Sequence, residues 1–456
     1  MNALLSTCLG LFLTIASVHA AKIKKESPGE ATKGKVFEWT SGKGIDYQFI
    51  IPRSYDAKKG TNLTFILHGS NLSRTWGFAN HTAGEFRPDD IVVVPDGTTS
   101  NSNGGFNFLG KDADVARFEG LHNEIKDFFK INSTFLYGHS QGSFFALHYA
   151  GAKPETVQGV LAHASGVWNW STLTPRAHHQ AIVFMHGTKD PVVPYGNSRG
   201  GLSVFKKRGY PMVRLRSLEG WNHWPAENNG TIPHASQQLA WIEGMTTNDS
   251  ERLAEVFKIL GSAKDKTQHD FAAFYQVAKR VEGEQSFPAG ARKAATRAIA
   301  NIEALAQNHA KALSKIDPTI SLEDKAPDWI GHLPMFLRNF EDTPAAKSLQ
   351  EKWAETLEDH KKASSEHLGS YYQSAKAGDK KEAFEAGLNA LSSAYLSIDV
   401  SSNDFLGGMK KLNDSAKDLG IDRDESKAFK SLMGNFEKAQ SEGRKAFESL
   451  NKRAKL

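Results

Sequence analysis

Thr134-Phe135-Leu136-Tyr137-Gly138-His139-Ser140-Gln141-Gly142 runs directly into Ser143-Phe144-Phe145-Ala146-Leu147-His148-Tyr149-Ala150. Thr134 to Tyr137 has the aromatic and aliphatic density of a strand covered on both faces. Gln141 to Ala150 reads as the helix that follows it. Between the two lies Gly-x-Ser-x-Gly, and the chemistry of that turn explains its composition. A sharp strand-to-helix turn lifts Ser140 above a sheet, while Gly138 and Gly142 omit the Cβ atoms that would collide. The helix N-terminus then aims its unpaired N–H groups at negative charge forming beside the serine.

The surrounding chain has the rhythm such a turn requires. Asn62–Leu67, Ile91–Val94, Val157–Ala162, Ala181–His186 and Met212–Leu218 read as further strands, and Asp112–Phe129 as a helix between them. Alternation of this kind over residues 35–245 predicts a mostly parallel central sheet flanked by helices. Beyond about Asn248, Ala, Lys, Glu and Leu recur at helical spacing. Helices are expected at Ser250–Leu260, Lys264–Val281, Ala289–Ser314, Pro344–Ala377, Lys380–Ser397 and Glu425–Lys452, with residues 317–334 as a connector. The fold class expected is therefore α/β, an α/β-hydrolase followed by an all-α C-terminal region. The polar stretch Thr246-Thr247-Asn248-Asp249-Ser250 reads as a linker between a catalytic domain at 21–247 and a helical domain at 248–456, read as a structural or adhesive bundle that could dock a partner or surface.

A serine hydroxyl needs a base, and the base needs an orienting acid. In this fold the chain order is nucleophile, acid, histidine. Asp190 follows the strand Ala181–His186 within Gly187-Thr188-Lys189-Asp190-Pro191-Val192-Val193-Pro194, at the sheet edge where ligands bind. His223 follows the next strand, in Gly220-Trp221-Asn222-His223-Trp224-Pro225. Ser140, Asp190 and His223 are thus the candidate catalytic residues. Asp96 and Asp112 precede the serine and suit turn or cap roles better. His139 is expected to pack in the elbow, His68 and His186 to make structural hydrogen bonds, and His178-His179 to lie on the surface. The backbone N–H of Gln141 and of Ser70, in Leu67-His68-Gly69-Ser70, are the candidate oxyanion donors, with Asn71 as the alternative to Ser70. Each such donor is worth about 2.7–4 kcal/mol of transition-state stabilisation. Trp168 and Trp224, with Trp76 and Trp170, fall in loops expected at the catalytic edge and are candidates for substrate binding.

With these motifs in place, residues 45–245 resemble the secreted esterases of the polyhydroxybutyrate depolymerase and feruloyl esterase type. The resemblance rests on Leu67-His68-Gly69, Gly138 to Gly142, His186 to Tyr195, and Gly220 through His223-Trp224-Pro225. It implies hydrolysis of carboxylic esters, with no metal or other cofactor. It departs from that family in lacking disulfides and in the Trp221-Asn222 pair that interrupts the glycines of the histidine loop. Two other readings share the residues: a peptidase of the prolyl-oligopeptidase type, and a catalytically silent hydrolase fold that binds a partner.

Composition fits an exported chain. Met1 to Ala20 carries no Lys, Arg, Asp or Glu, has an apolar run at Leu9–Val18, and ends in Val18-His19-Ala20, the pattern of a signal peptide. The expected location is secreted or periplasmic. The single cysteine, Cys8, lies within that segment, so neither a disulfide nor a cysteine nucleophile is expected in a mature chain. The formal net charge is +5. Lys and Arg number 24 against 19 Asp and Glu in residues 21–245, and 32 against 32 in 246–456, a modest excess without a basic tract. Nucleic-acid binding is therefore not expected, nor is a transmembrane span.

Overall fold

The computed structural model describes residues 33–80, 87–168, 173–218, 221–224, 232–261, 270–314, 336–396 and 403–421, together with 333, 430 and 432. The expected signal peptide, the Glu425–Lys452 helix apart from residues 430 and 432, and nearly all of the 317–334 connector lie outside them.

Strands β1 (Val36–Thr40), β2 (Asp46–Ile50) and β3 (Thr61–Leu67) lead to helix α1 (Arg74–Asn80) and β4 (Ile91–Pro95). A short hairpin, β5 (Thr99–Ser100) with β6 (Phe106–Asn107), precedes α2 (Asp112–Phe128). Then come β7 (Ile131–His139), α3 (Gln141–Ala152), β8 (Gly159–His163), β9 (Ala181–Gly187), α4 (Tyr195–Lys207) and β10 (Val213–Leu218). Among the described residues these strands form an eight-stranded sheet in the order β1-β2-β4-β3-β7-β8-β9-β10. From β4 to β10 every neighbour is parallel, while β1 and β2 close one edge antiparallel. This is the α/β-hydrolase sheet expected from the alternation of strands and helices.

Strand periodicity assigns the two faces. Ile66, Phe135, Tyr137, Val183 and Met185 point to one core; Phe65, Leu67, Leu136, Ile182 and Phe184 point to the other. The second face is covered by Phe118 and Leu121 of α2, Phe145 of α3 and Phe205 of α4. Both faces are dry, which is why these strands read as continuous apolar runs. Each such side chain contributes about 1.5–3 kcal/mol by its burial.

The first face is covered by α5 (Ile232–Thr246), and the core continues without a break into the helical region. That region comprises α6 (Ser250–Gly261), α7 (Phe271–Gly283), α8 (Ala289–Leu313), α9 (Pro344–Ala377), α10 (Lys380–Leu396) and α11 (Asn403–Asp418). The expected helix at Lys264–Val281 is described from Phe271, and its residues 264–269 lie outside the described ones. Asp270 is its N-cap and accepts from the Ala273 N–H at 2.9 Å. No helix among the described residues is long and apolar enough to cross a membrane.

The boundary expected at residue 247 is crossed by packed and charged groups. Arg214 of β10 donates to Asp270 at 2.8 Å, and Arg216 donates to Asn339 at 2.9 Å. Arg252 of α6 pairs with Glu243 at 2.5 Å and Asp90 at 3.1 Å, both of which also hold the buried Arg87. Arg280 of α7 donates to the carbonyls of Gly244 and Thr247, each at 2.7 Å. The polar residues read as a linker are thus tied to α7, and the helical region shares its core with the sheet.

Candidate active site

The chain crosses over at β3. β4 lies to one side of it and β7 to the other, so the loops leaving the C-terminal ends of β3 and β7 flank the switch point at which such sheets usually bind ligands. Ser140 stands on the turn that leaves β7. Its backbone has φ 52° and ψ −123°, a left-handed conformation costly for a residue with a side chain. The turn survives because its neighbours hold it. Ser140 N–H and Ser143 Oγ both donate to the His163 carbonyl, at 2.9 and 2.8 Å. A Cβ on Gly138 would lie 2.4 Å from Ser143 N, and one on Gly142 would lie 2.3 Å from the Leu67 carbonyl oxygen. Only glycine fits at either place.

The loop after β3 lies against the serine: a Cβ on Gly69 would sit 3.2 Å from Ser140 Cβ. His68 fixes that loop. Its Nε2 accepts from Gly97 N–H at 2.9 Å, which leaves Nδ1 to donate to the Gly69 carbonyl at 2.8 Å. Burial pushes its pKa down to about 4, so His68 is a neutral strut, as its place in the sequence implied. Asn71 N–H is committed to the Phe106 carbonyl at 3.0 Å and to Asn107 Oδ1 at 3.2 Å. That removes Asn71 as an oxyanion donor and leaves Ser70 as the candidate on this loop. Gln141 opens α3, where first-turn N–H groups lack partners within the helix. Its side-chain oxygen accepts from Phe108 N–H at 2.9 Å and ties the 106–108 segment to the elbow.

Asp190 follows β9 and His223 follows β10. Their loops are stitched together by Thr188 N–H to the Leu218 carbonyl (3.0 Å) and Lys189 N–H to the Trp221 carbonyl (2.9 Å). Trp224 N–H turns back to Asn222 Oδ1 at 2.9 Å and shapes the histidine loop. The result brings acid and base together: His223 Nδ1 lies 2.7 Å from Asp190 Oδ2, and both residues are buried. A carboxylate can only accept, so Nδ1 carries the hydrogen and Nε2 is left as the basic nitrogen. The His223 ring lies 4.9 Å from that of His139, the residue before Ser140.

Asp190 is held on all sides. Its Oδ1 accepts from the N–H groups of Val192 and Val193, both at 2.8 Å, and its Oδ2 also receives His186 Nε2 at 3.1 Å. Burial alone would raise its pKa. The hydrogen bonds from His186 and His223, with the charge on His223, outweigh burial and keep the carboxyl well below its usual range.

The other candidates fall into structural roles. Asp96 accepts from Arg74 N–H at 2.7 Å and pairs with the Arg74 guanidinium, which caps α1. Asp112 lies in the first turn of α2. His139 is buried between Trp76, stacked at 5.3 Å, and His163, whose Nδ1 is 3.1 Å from its own. That imidazole pair was not foreseen; its partners are 24 residues apart and meet only through the pairing of β7 with β8. His178 packs edge-on against Tyr210, and His179 lies near the carbonyls of Arg176 and Pro154. Trp168 is 41% exposed and stacks on Phe144 of α3; Trp224 is 38% exposed and meets His223 edge-on. Leu109 and Val192 are exposed too. Trp170 lies outside the described residues.

Residues 117–228 match the family model described as phospholipase/carboxylesterase. The match encloses Ser140, Asp190 and His223 and stops short of the helical region. A 1-acylglycerol-3-phosphate O-acyltransferase of Arabidopsis thaliana is 26% identical over an alignment of 182 residues that covers 38% of this chain and 43% of that protein. Among solved structures, a thermostable esterase is similar at 18% identity and a TM-score of 0.34, covering 49% of this chain and 62% of that one. A ferulic acid esterase is similar at 12% identity and a TM-score of 0.36, covering 45% and 97%. This chain thus spans less than two thirds of the plant protein and of the thermostable esterase. The mostly parallel sheet and the serine turn define the class by its fold, that of the α/β-hydrolases.

Proposed function

We propose that this chain is an exported serine esterase in which Ser140 is the nucleophile, His223 the general base and Asp190 its orienting acid. The observation that carries the reading is the 2.7 Å contact between His223 Nδ1 and Asp190 Oδ2, on loops leaving consecutive parallel strands. With Nδ1 so engaged, Nε2 takes the Ser140 hydroxyl proton as Oγ attacks the ester carbonyl. The tetrahedral oxyanion is stabilised by the N–H groups of Gln141 and Ser70. The intermediate collapses, the alcohol leaves with the proton returned by His223, and Ser140 remains acylated. Water, activated by the same imidazole, then releases the acid.

The substrate class we favour is an ester with an aromatic or long apolar group, presented on a polymer or plant polysaccharide. Exposed Trp168, Trp224, Leu109 and Val192 support it, because indoles suit flat phenolic and sugar faces. The resemblance to polyhydroxybutyrate depolymerases and feruloyl esterases points the same way. A second reading, transfer of the acyl group to an alcohol, is supported by the similarity to the plant acyltransferase. Both readings share the acyl-enzyme and differ in what attacks it.

The test is turnover of p-nitrophenyl, feruloyl and acetyl-xylan esters and of polyhydroxybutyrate, with and without added glycerol or lysophospholipid. Release of free acid supports hydrolysis, and a new ester formed only with the acceptor supports transfer. Trp168→Ala and Trp224→Ala should raise KM for feruloyl esters more than for acetyl esters. A chain that cleaves none of these esters and takes up no fluorophosphonate would overturn the proposal. N-terminal sequencing of the exported protein tests cleavage after Ala20.

A further inference from the structure

His186 is the last residue but one of β9, wholly buried, and no step of the proposed reaction uses it. Its Nε2 faces Asp190 Oδ2 at 3.1 Å and the Val193 carbonyl at 2.9 Å. Both are acceptors, so Nε2 carries a hydrogen and donates. Nδ1, the acceptor that remains, lies 2.7 Å from Ser198 Oγ and takes its single hydrogen; the same oxygen stands 2.7 Å from the Ser165 carbonyl. The histidine is therefore anchored from α4 on one side and presents an N–H to the acid on the other.

The acid receives two imidazoles on one oxygen. Val192 and Val193 pin Oδ1, but a carboxylate held by one oxygen can still pivot about it. A second donor on Oδ2 fixes the plane in which His223 meets it. It also draws charge from that oxygen, which weakens the pull that Asp190 exerts on a proton at His223. Among the described residues, the titratable groups facing this assembly are His139 against His223, His163 against His139, and Tyr195, whose ring meets His186 edge-on at 5.7 Å while its hydroxyl turns to Ser217.

We propose that His186 is a positioning residue of the acid–base pair: its Nε2–H sets the orientation of Asp190 and shares the carboxylate's charge, which tempers the hold of Asp190 on the His223 ring hydrogen. The inference rests on the catalytic reading above.

Asparagine and glutamine separate the two edges of the ring. The amide nitrogen of Asn stands near the place of Nδ1, and that of Gln near the place of Nε2. His186→Asn keeps a polar group toward Ser198 and removes the donor to Asp190. His186→Gln keeps that donor. In the full chain, His186→Asn should lower kcat by roughly tenfold or more with KM little changed. The acid limb of its kcat/KM profile should move to higher pH by about half a unit or more. His186→Gln should stay within about threefold of wild type with the limb in place. Titration of the His223 ring proton by NMR should follow the same order without depending on turnover. In an Asp190→Asn background, His186→Asn should add no further loss.

Equal profiles for the two variants, an unmoved limb and titration in His186→Asn, or a full additional loss in the Asp190→Asn background would each overturn the proposal. If neither variant folds, imidazole 15N spectra of the wild type decide it, since an unprotonated His186 Nε2 is incompatible with donation to Asp190. A wild type that titrates as described yet cleaves no ester would sink the catalytic reading alone.

Discussion

The guanidinium of Arg214 on β10 reaches the carboxylate of Asp270, at the N-cap of α7, at 2.8 Å, with both side chains buried. Gln238 of α5 donates to the second oxygen of the same carboxylate at 2.8 Å. The last strand of the sheet, the helix that follows it and the helical region therefore converge on one group. Asp270→Ala should lower the stability of the whole protein by about 3–5 kcal/mol, because it strands a buried arginine. A chain ending at Thr247 would lose Asp270, the Asn339 that Arg216 meets and the Arg252 that pairs with Glu243. It should be insoluble or should melt far below the full-length protein. A soluble fragment of residues 21–247 with wild-type melting would show that these contacts contribute little.

The same groups set the acid stability. Burial alone would raise the pKa of Asp270, but Arg214 and Arg216 overcome it and hold the carboxyl well below its usual range. Glu243 is likewise lowered, with Arg87 and Arg252 outweighing its burial. Such carboxyls bind fewer protons folded than unfolded. Their stabilisation is therefore complete above the unfolded carboxyl range, about pH 4, and is lost as the pH falls below it. The melting temperature should drop steeply below about pH 4 and less steeply in Asp270→Asn. A Tm that stays level down to about pH 3 would contradict this.

Asp190 and Asp96 offer a matched comparison, since both are buried carboxylates at the C-terminal edge of the sheet. Only Asp190 meets His223. Asp190→Asn should cut kcat by roughly 10³–10⁴ through loss of the acceptor that fixes the imidazole tautomer. Asp96→Asn should spare kcat and lower Tm, because it weakens the cap and ion pair of α1. Steady-state kinetics on one short-chain ester distinguish them, and the reverse pattern would move the acid to Asp96.

The strand, serine turn and helix around Ser140 were legible because one local pattern specifies all three. The order of acid and histidine followed from the chain order of the fold. Edge strands β1 and β2 escaped because they are half-polar: Glu38, Asp46 and Gln48 alternate with buried Phe37, Tyr47 and Phe49. Helix α4 contains Gly196, Gly200 and Gly201, which argue against a helix locally. A Cβ on Gly201 would meet the Phe184 ring at 2.7 Å, so packing on β9 decides the matter. A structural hydrogen bond was legible for His186 from its place at the end of a strand, but the direction in which its ring donates depends on Val193 and Ser198. Arg214 and Asp270 stand 56 residues apart across a change of composition, and no local signal joins them.

The most direct test is Ser140→Ala, which removes one oxygen from a half-buried turn and leaves every contact around Gly138, Gly142 and His163 in place. Turnover of a p-nitrophenyl ester and labelling by a fluorophosphonate are to be measured on wild type and variant with matching circular dichroism. The expected result is a loss of at least about 10³ in kcat and of all labelling, with the labelled wild-type peptide carrying the adduct on Ser140. Wild-type turnover in the folded variant, or an adduct on another residue, would contradict Ser140 as the nucleophile.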